Sequence, residues 1–123
     1  MKRAERDEWT YNLRNPEVGG FKQGRSYLNK GSEQCCIGVK CELDYRKGRM
    51  LRELHAGMYS RFAYAEPSAT SAWAWSRIDF PSGTMTRLGI TDAIQSKLID
   101  MNDNRVPWPE IADWIDQNVP VED

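Results

Sequence analysis

The residues of this 123-residue chain best suited to chemistry fall into three groups. The first is Cys35-Cys36 with Cys41, followed at a distance by the single histidine, His55. A zinc centre wants four ligands, commonly as two close pairs. Adjacent residues on a helix point about 100° apart, so Cys35 and Cys36 do not easily converge on one ion. A Cys–His nucleophile needs a thiol of lowered pKa and a third, orienting group, and nothing in this spacing argues for either. Three small apolar thiols filling a tight centre is the expectation, with no metal and no cofactor. The second group, Asn102-Asp103, could hold a ligand or a metal, but reads more simply as a helix end, where the asparagine enters the left-handed region and the aspartate bonds nearby amides.

The third group is basic and aromatic: Lys22, Gln23, Arg25, Tyr27, then Tyr59, Arg61, Tyr64, Trp73, Trp75 and Arg77. Arginine presents a planar fork to phosphate, and aromatic faces stack bases at roughly 1–3 kcal/mol each. Gly24 would let backbone amides approach an anion. Equally, these aromatics can pack against the C-terminal helices with the arginines laid over them. Trp73 and Trp75 beside Arg77 are an expensive surface unless a ligand or a second copy of the chain covers them. The candidate ligand-binding set is therefore Lys22, Gln23, Arg25, Tyr27, Arg61, Trp73, Trp75 and Arg77, with no catalytic and no metal-ligating residue assigned.

Several elements must position these groups. Trp9 and Leu13 stand one turn apart in a helix over 4–14 that Asn15-Pro16 ends. Glu17 to Gly20 reads as a turn, and 21–31 as a basic, glycine-punctuated lead-in anchored by Phe21, Tyr27 and Leu28. The stretch 35–45 is apolar over much of a helix's girth and belongs in the centre of the domain. Gly38 costs that helix roughly 1 kcal/mol against alanine, so another element is expected to cross close above it. Residues 46–52 read as a basic connector. Alternation around 58–64 and again over 72–80 predicts a two-stranded antiparallel ribbon, with Trp73, Trp75 and Arg77 on one face. Thr84 to Leu88 reads as a short helical turn. The chain closes on a helical hairpin, Thr91 to Asp103 and Trp108 to Val119, with Thr91 or Asp92 as cap and Pro109 in the second helix's first turn. The expected fold is α+β: a mainly helical small single domain, residues 1–123, with a short antiparallel ribbon and a C-terminal helical hairpin.

Composition bounds the function. A hydrophobic fraction of 40% with 11% aromatics suits a globule rather than a disordered chain. No run approaches the ~20 apolar residues of a membrane span, and the charged start carries no secretory signal. An odd number of cysteines, two of them adjacent, does not suit a disulfide framework and points to a reducing cytosol. Residues 1–62 carry thirteen Lys/Arg against eight Asp/Glu, whereas 92–123 carry two against eight. That polarity can steer an anionic partner to one end, or let the halves pair across the fold. The acidic C-terminal region opposes contact with DNA phosphates.

Two segments carry a resemblance. Cys35-Cys36-Ile37-Gly38-Val39-x-Cys41, and Leu98-x-x-Met101-Asn102-Asp103 followed by Trp108 and Ile111-Ala112-x-x-Ile115, resemble a family of small proteins encoded by tailed phages. That family reads CC-(L/I)-GV-x-C, then L-x-x-LND and F-x-x-IA-x-x-I. Gln23-Gly24 with Leu28 is similar to its glycine-punctuated lead-in. The matching pieces cover about a third of the chain, which departs at Met101, at Trp108 and in a longer aromatic middle. The resemblance implies a phage accessory protein made in a bacterial cytoplasm and acting on a host system. The resulting expectation is a non-enzymatic binding protein that antagonises host defence by sequestering a small anionic, nucleotide-type signal, as a homo-oligomer with no DNA or membrane partner. The alternative is an interaction module that inhibits a host protein through its aromatic or acidic face.

Overall fold

The computed structural model describes residues 1–55 and 61–122. Helix α1, Arg3–Arg14, buries Trp9 and Leu13 completely on its inner face. Asn15-Pro16 ends it, but the expected turn that follows is a one-turn helix, α2, Pro16–Gly19, closed by Gly20 at φ 74°. Proline's fixed φ suits a first helical turn, which explains the difference.

Helix α3, Cys36–Arg46, runs through the centre of the domain, and Cys36, Ile37, Val39 and Cys41 are fully buried. The crossing expected at Gly38 is the lead-in: a Cβ at that position would stand 1.6 Å from the carbonyl oxygen of Leu28. Trp9 Nε1 donates to the Cys36 carbonyl at 2.9 Å and ties α1 to the start of α3. The expectation of an apolar helix needs correction, because Lys40, Glu42 and Asp44 are buried too. Lys40 Nζ lies 2.6 Å from Asp44 Oδ1, both side chains wholly inaccessible, while Arg87 reaches Asp44 Oδ2 at 2.9 Å and Glu66 Oε1 at 2.6 Å. Glu42 accepts from Arg46, Arg52 and the Tyr64 hydroxyl. Pairing of this kind is what makes buried charge tolerable.

Four short strands form an antiparallel sheet in the order β2-β1-β4-β3: β1 Asn29–Lys30, β2 Glu33–Gln34, β3 Leu51–His55 and β4 Arg61–Ala65. The fold is α+β and mainly helical with a short antiparallel ribbon, but the ribbon pairs β4 with β3, which begins in the last two residues of the expected connector. Leu51-Arg52-Glu53-Leu54-His55 hides its strand character because an arginine fills an apolar place. The Arg52 guanidinium lies 4.1 Å from the Tyr45 ring centroid and 4.2 Å from that of Phe62. The expected strand over 72–80 is reduced to a 3₁₀ turn at Ala72–Ala74 and a single bridge between Tyr64 and Ser76. The lane beside β4 is already taken, with Lys30 opposite Arg61 and the Leu28 amide bonded to the Arg77 carbonyl at 2.7 Å. Trp73, Trp75 and Arg77 therefore do not share one face of a strand. Tyr64 leaves the candidate surface altogether, fully buried on Glu42. Met58 and Tyr59 lie outside the described residues.

The chain closes with α4, Thr84–Leu88, α5, Asp92–Asp103, and α6, Trp108–Asn118. Thr91 caps α5 by accepting from the Ile94 amide at 3.2 Å, and Pro109 sits in the first turn of α6. Leu98, Met101, Ile111, Ile115 and Val119 are buried. Helix α6 lies chiefly along α1 rather than against its hairpin partner. Arg14 bridges Asp113 and Asp116 at 2.8 and 2.7 Å, and Arg6 donates to the Asp116 and Val119 carbonyls. The basic and acidic ends of the sequence thus pair in part across the fold. Among the described residues no helix is long and apolar enough to cross a membrane.

Candidate anion-binding site

The lead-in segment 22–26 is fastened along both sides. On one side, Gln34 accepts from the Lys22 amide through its side chain at 3.0 Å, donates to the Lys22 carbonyl at 2.8 Å, and accepts from the Gly24 amide at 2.7 Å. On the other, the end of α5 holds it: Asn102 Nδ2 donates to the Gly24 carbonyl at 2.7 Å, the Ser26 amide to Asp103 Oδ1 at 3.0 Å, and Gln23 Nε2 to the Val106 carbonyl at 2.8 Å. Gly24 leaves room for the crossing strand, since a Cβ there would meet the Glu33 side chain at 2.7 Å.

Between these walls lies a cleft of about 420 Å³ lined by Gln23, Gly24, Arg25, Glu33, Asn102 and Arg105. That is within the roughly 300–1,000 Å³ of small-molecule sites. Arg25 and Arg105 are exposed, and neither guanidinium has a hydrogen bond or ion pair among the described residues. Ser26 at φ 72° and Arg105 at φ 60° are the two non-glycine residues with left-handed backbone among those described; Arg105 lines this cleft and Ser26 follows Arg25 in the chain. Such a conformation costs roughly 1–2 kcal/mol per residue, and strain of this kind clusters at functional sites.

Asn102-Asp103 differs from its sequence reading. Asn102 remains helical and fully buried, its Oδ1 accepting from the Cys36 amide at 3.0 Å and from Trp108 Nε1 at 2.9 Å. The left-handed turn falls three residues later, at Arg105. Asp103 does bond an amide, but that of Ser26, 77 residues away in sequence.

A second basic group lies on the sheet. Lys30 stands opposite Glu33 on one side and Arg61 on the other, and Arg61 stands opposite His55. Directly opposed residues share a face, so Glu33, Lys30, Arg61 and His55 form one row across all four strands. Asn29, Gln34, Tyr64 and Arg52 alternate with this row and bond toward Glu42 of α3, which leaves the row on the other face. Lys30 Nζ and the Arg61 guanidinium lie 5.0 and 5.2 Å from the Tyr27 ring centroid. Arg77 Nη1 lies 3.1 Å from His55 Nδ1. A guanidinium only donates, so the ring nitrogen is the acceptor in this contact.

Of the eight candidate residues, Gln23 and Arg25 line the cleft and Lys22 adjoins it. Tyr27, Arg61 and Arg77 lie along the sheet. Trp73, 93% exposed, and the half-exposed Trp75 join neither group through a hydrogen bond or ring contact among those described. Lys30 and Arg105 carry no ligand signal in the sequence, and Asn102 reads there as a helix end. The gap between the two C-terminal helices marks a turn, but periodicity does not say which of its residues turns left-handed.

A family described as a domain of unknown function (DUF8296) matches residues 1–119. The chain belongs to the DUF8296 family. The match runs from α1 through α6, so the cleft and the sheet both lie inside the DUF8296 domain. No curated protein and no solved structure matches the chain.

The DUF8296 thiols are buried filling. Cys35 Sγ accepts from the Gly38 amide at 3.4 Å as the cap of α3, and Cys36 Sγ lies 3.6 Å from the Leu98 carbonyl. Among the described residues no cluster of three or more His, Cys, Asp or Glu is placed to hold a metal. Burial pushes the Cys35 thiol up from 9.0 to about 11, and burial raises Cys36 and Cys41 as well. These thiols ionise in the unfolded chain near pH 9 while the folded ones stay protonated, so stability is full below that pH and falls as pH rises toward 11. Cys35 alone accounts for a loss of up to about 3 kcal/mol. Denaturant melts from pH 8 to 11 measure this. Under native conditions a thiol reagent is expected to label none of the three within minutes and all three in denaturant, and rapid native labelling contradicts the burial.

Proposed function

We propose that this DUF8296 protein binds, without turning it over, a small anionic, nucleotide-type molecule in the cleft between Arg25 and Arg105. We further propose that it acts in a bacterial cytoplasm as a phage-encoded antagonist of host defence, by sequestering such a signal. The phage setting rests on the motif resemblance alone. The ligand class rests on one observation: two guanidinium groups without partners among the described residues flank a cleft whose walls are tied down, with left-handed backbone at Arg105 in its lining and at Ser26 next to Arg25. Preformed walls reduce the ordering cost of binding, and paired arginine forks suit phosphate.

Calorimetry against a nucleotide panel tests the reading. A nucleotide is expected to bind, and Arg25→Ala or Arg105→Ala to weaken it by about tenfold or more, the worth of one charge-assisted contact. Arg105→Gly separates site from scaffold. Relief of the left-handed strain stabilises the fold by about 1 kcal/mol, yet binding falls as in the alanine variant. A panel with no binder, or arginine variants that bind normally, defeats the proposal.

A second reading is favoured by Trp73, which is 93% exposed. An aromatic so placed is an anchor for a host protein or a second copy of the chain. Under that reading Trp73→Ala abolishes association seen by sedimentation or host-protein capture.

A further inference from the structure

The cleft does not end at Glu33. This residue closes one wall and also begins the cross-strand row, so the row continues from the cleft's rim through Lys30 on β1 and Arg61 on β4 to His55 on β3. Adjacent strands lie about 4.8 Å apart, which puts the Arg61 position roughly 10 Å from Glu33. Arg77 extends the row. Its guanidinium meets the His55 ring rather than a carboxylate, and Glu53 at that end lies 3.9 Å from His55 Nε2. Tyr27, joined to Arg25 through the left-handed Ser26, sets its ring beside Lys30 and Arg61. Two cationic positions are therefore separated by a single carboxylate. Glu33 repels phosphate between them and accepts hydrogen bonds from hydroxyls, as a sugar would supply.

We infer that the site takes a ligand with two separate phosphates joined through a sugar, a dinucleotide. One phosphate lies between Arg25 and Arg105 and the other over Lys30 and Arg61. This rests on the proposed binding at the cleft and deepens it. A mononucleotide fills the first position only. The second charge-assisted contact adds about tenfold or more in affinity. Neutralising one further phosphate also steepens the fall of log affinity with log salt by about 0.7.

The test is calorimetry with inorganic phosphate, AMP, the 5′-phosphorylated dinucleotide pApA and a twelve-residue oligoadenylate, each at two salt concentrations. The inference expects pApA to bind at least about tenfold tighter than AMP, with the steeper salt slope. Arg61→Gln is expected to shrink the pApA-to-AMP ratio below about threefold, Arg61→Lys to restore part of it, and Arg25→Gln to weaken both ligands in parallel. Thermal melts of each variant establish that it folds, and Lys30→Gln serves as the second reporter if Arg61→Gln does not. Equal affinity for AMP and pApA, or a ratio unmoved by both sheet variants, overturns the inference and leaves the cleft reading standing. No binding of any probe overturns both. A twelve-residue strand binding more than tenfold tighter than pApA overturns the dinucleotide in favour of a nucleic-acid strand.

Discussion

Gly38→Ala is expected to destabilise the protein by at least about 3 kcal/mol, against the roughly 1 kcal/mol gain that this exchange brings in an ordinary helix interior. The added methyl would stand 1.6 Å from the Leu28 carbonyl oxygen, 2.4 Å from its carbon and 2.7 Å from its Cα. All three are backbone atoms, so no side-chain rotation relieves the overlap. Either α3 or the lead-in must move. Leu28 is fully buried and its amide is bonded to Arg77, so moving the lead-in sacrifices about 2 kcal/mol of apolar burial and a hydrogen bond. Arg25 and Tyr27 would move with it, so surviving protein should bind anions poorly. Urea melts against wild type decide the matter, and a neutral or stabilised variant would show that Leu28 does not cross α3 as described.

Asn102→Leu carries the second large effect, about 3–5 kcal/mol, although it preserves volume. Asn102 uses both ends of its amide: Oδ1 for the Cys36 amide and the Trp108 indole, and Nδ2 for the Gly24 carbonyl. Leucine leaves three buried polar groups unmatched, each at roughly 1–3 kcal/mol. Those groups belong to α3, α6 and the lead-in, so one side chain joins three segments distant in sequence to the end of α5. Hydrogen exchange should accordingly quicken at the Cys36 amide as well as around residue 102. A loss below about 1 kcal/mol, with Cys36 still protected, would mean that the side chain is not the junction described.

What could be read from the residues and what could not divide along a physical line. The inner faces of α1, α5 and α6 were legible, because Trp9 and Leu13, Leu98 and Met101, Ile111 and Ile115 repeat at helical spacing. The crossing at Gly38 was legible as well, since a glycine inside an apolar helix pattern has few other reasons to be there. The strand β3 was not, because Arg52 fills an apolar position by lying on Tyr45 and Phe62 and leaves no alternating pattern. The burial of Lys40 and Asp44 was not legible either: a charged residue signals surface unless its partner is known, and Arg87 and Glu66 arrive from later in the chain.

The candidate site shows the same division. Residue type alone marked Gln23, Arg25, Tyr27, Arg61 and Arg77 as suited to an anion. Their separation into a cleft and a sheet row, and the addition of Arg105, Asn102 and Lys30, came from contacts between segments about 30 to 80 residues apart. By itself the sequence determined the helices, the apolar burial of the thiols and the sign of the charge near the lead-in, because each depends on neighbours within a few turns of chain. The tertiary structure decided which strands pair, which charges are buried and which arginines lack partners among the described residues, because those depend on what distant segments bring to the same place.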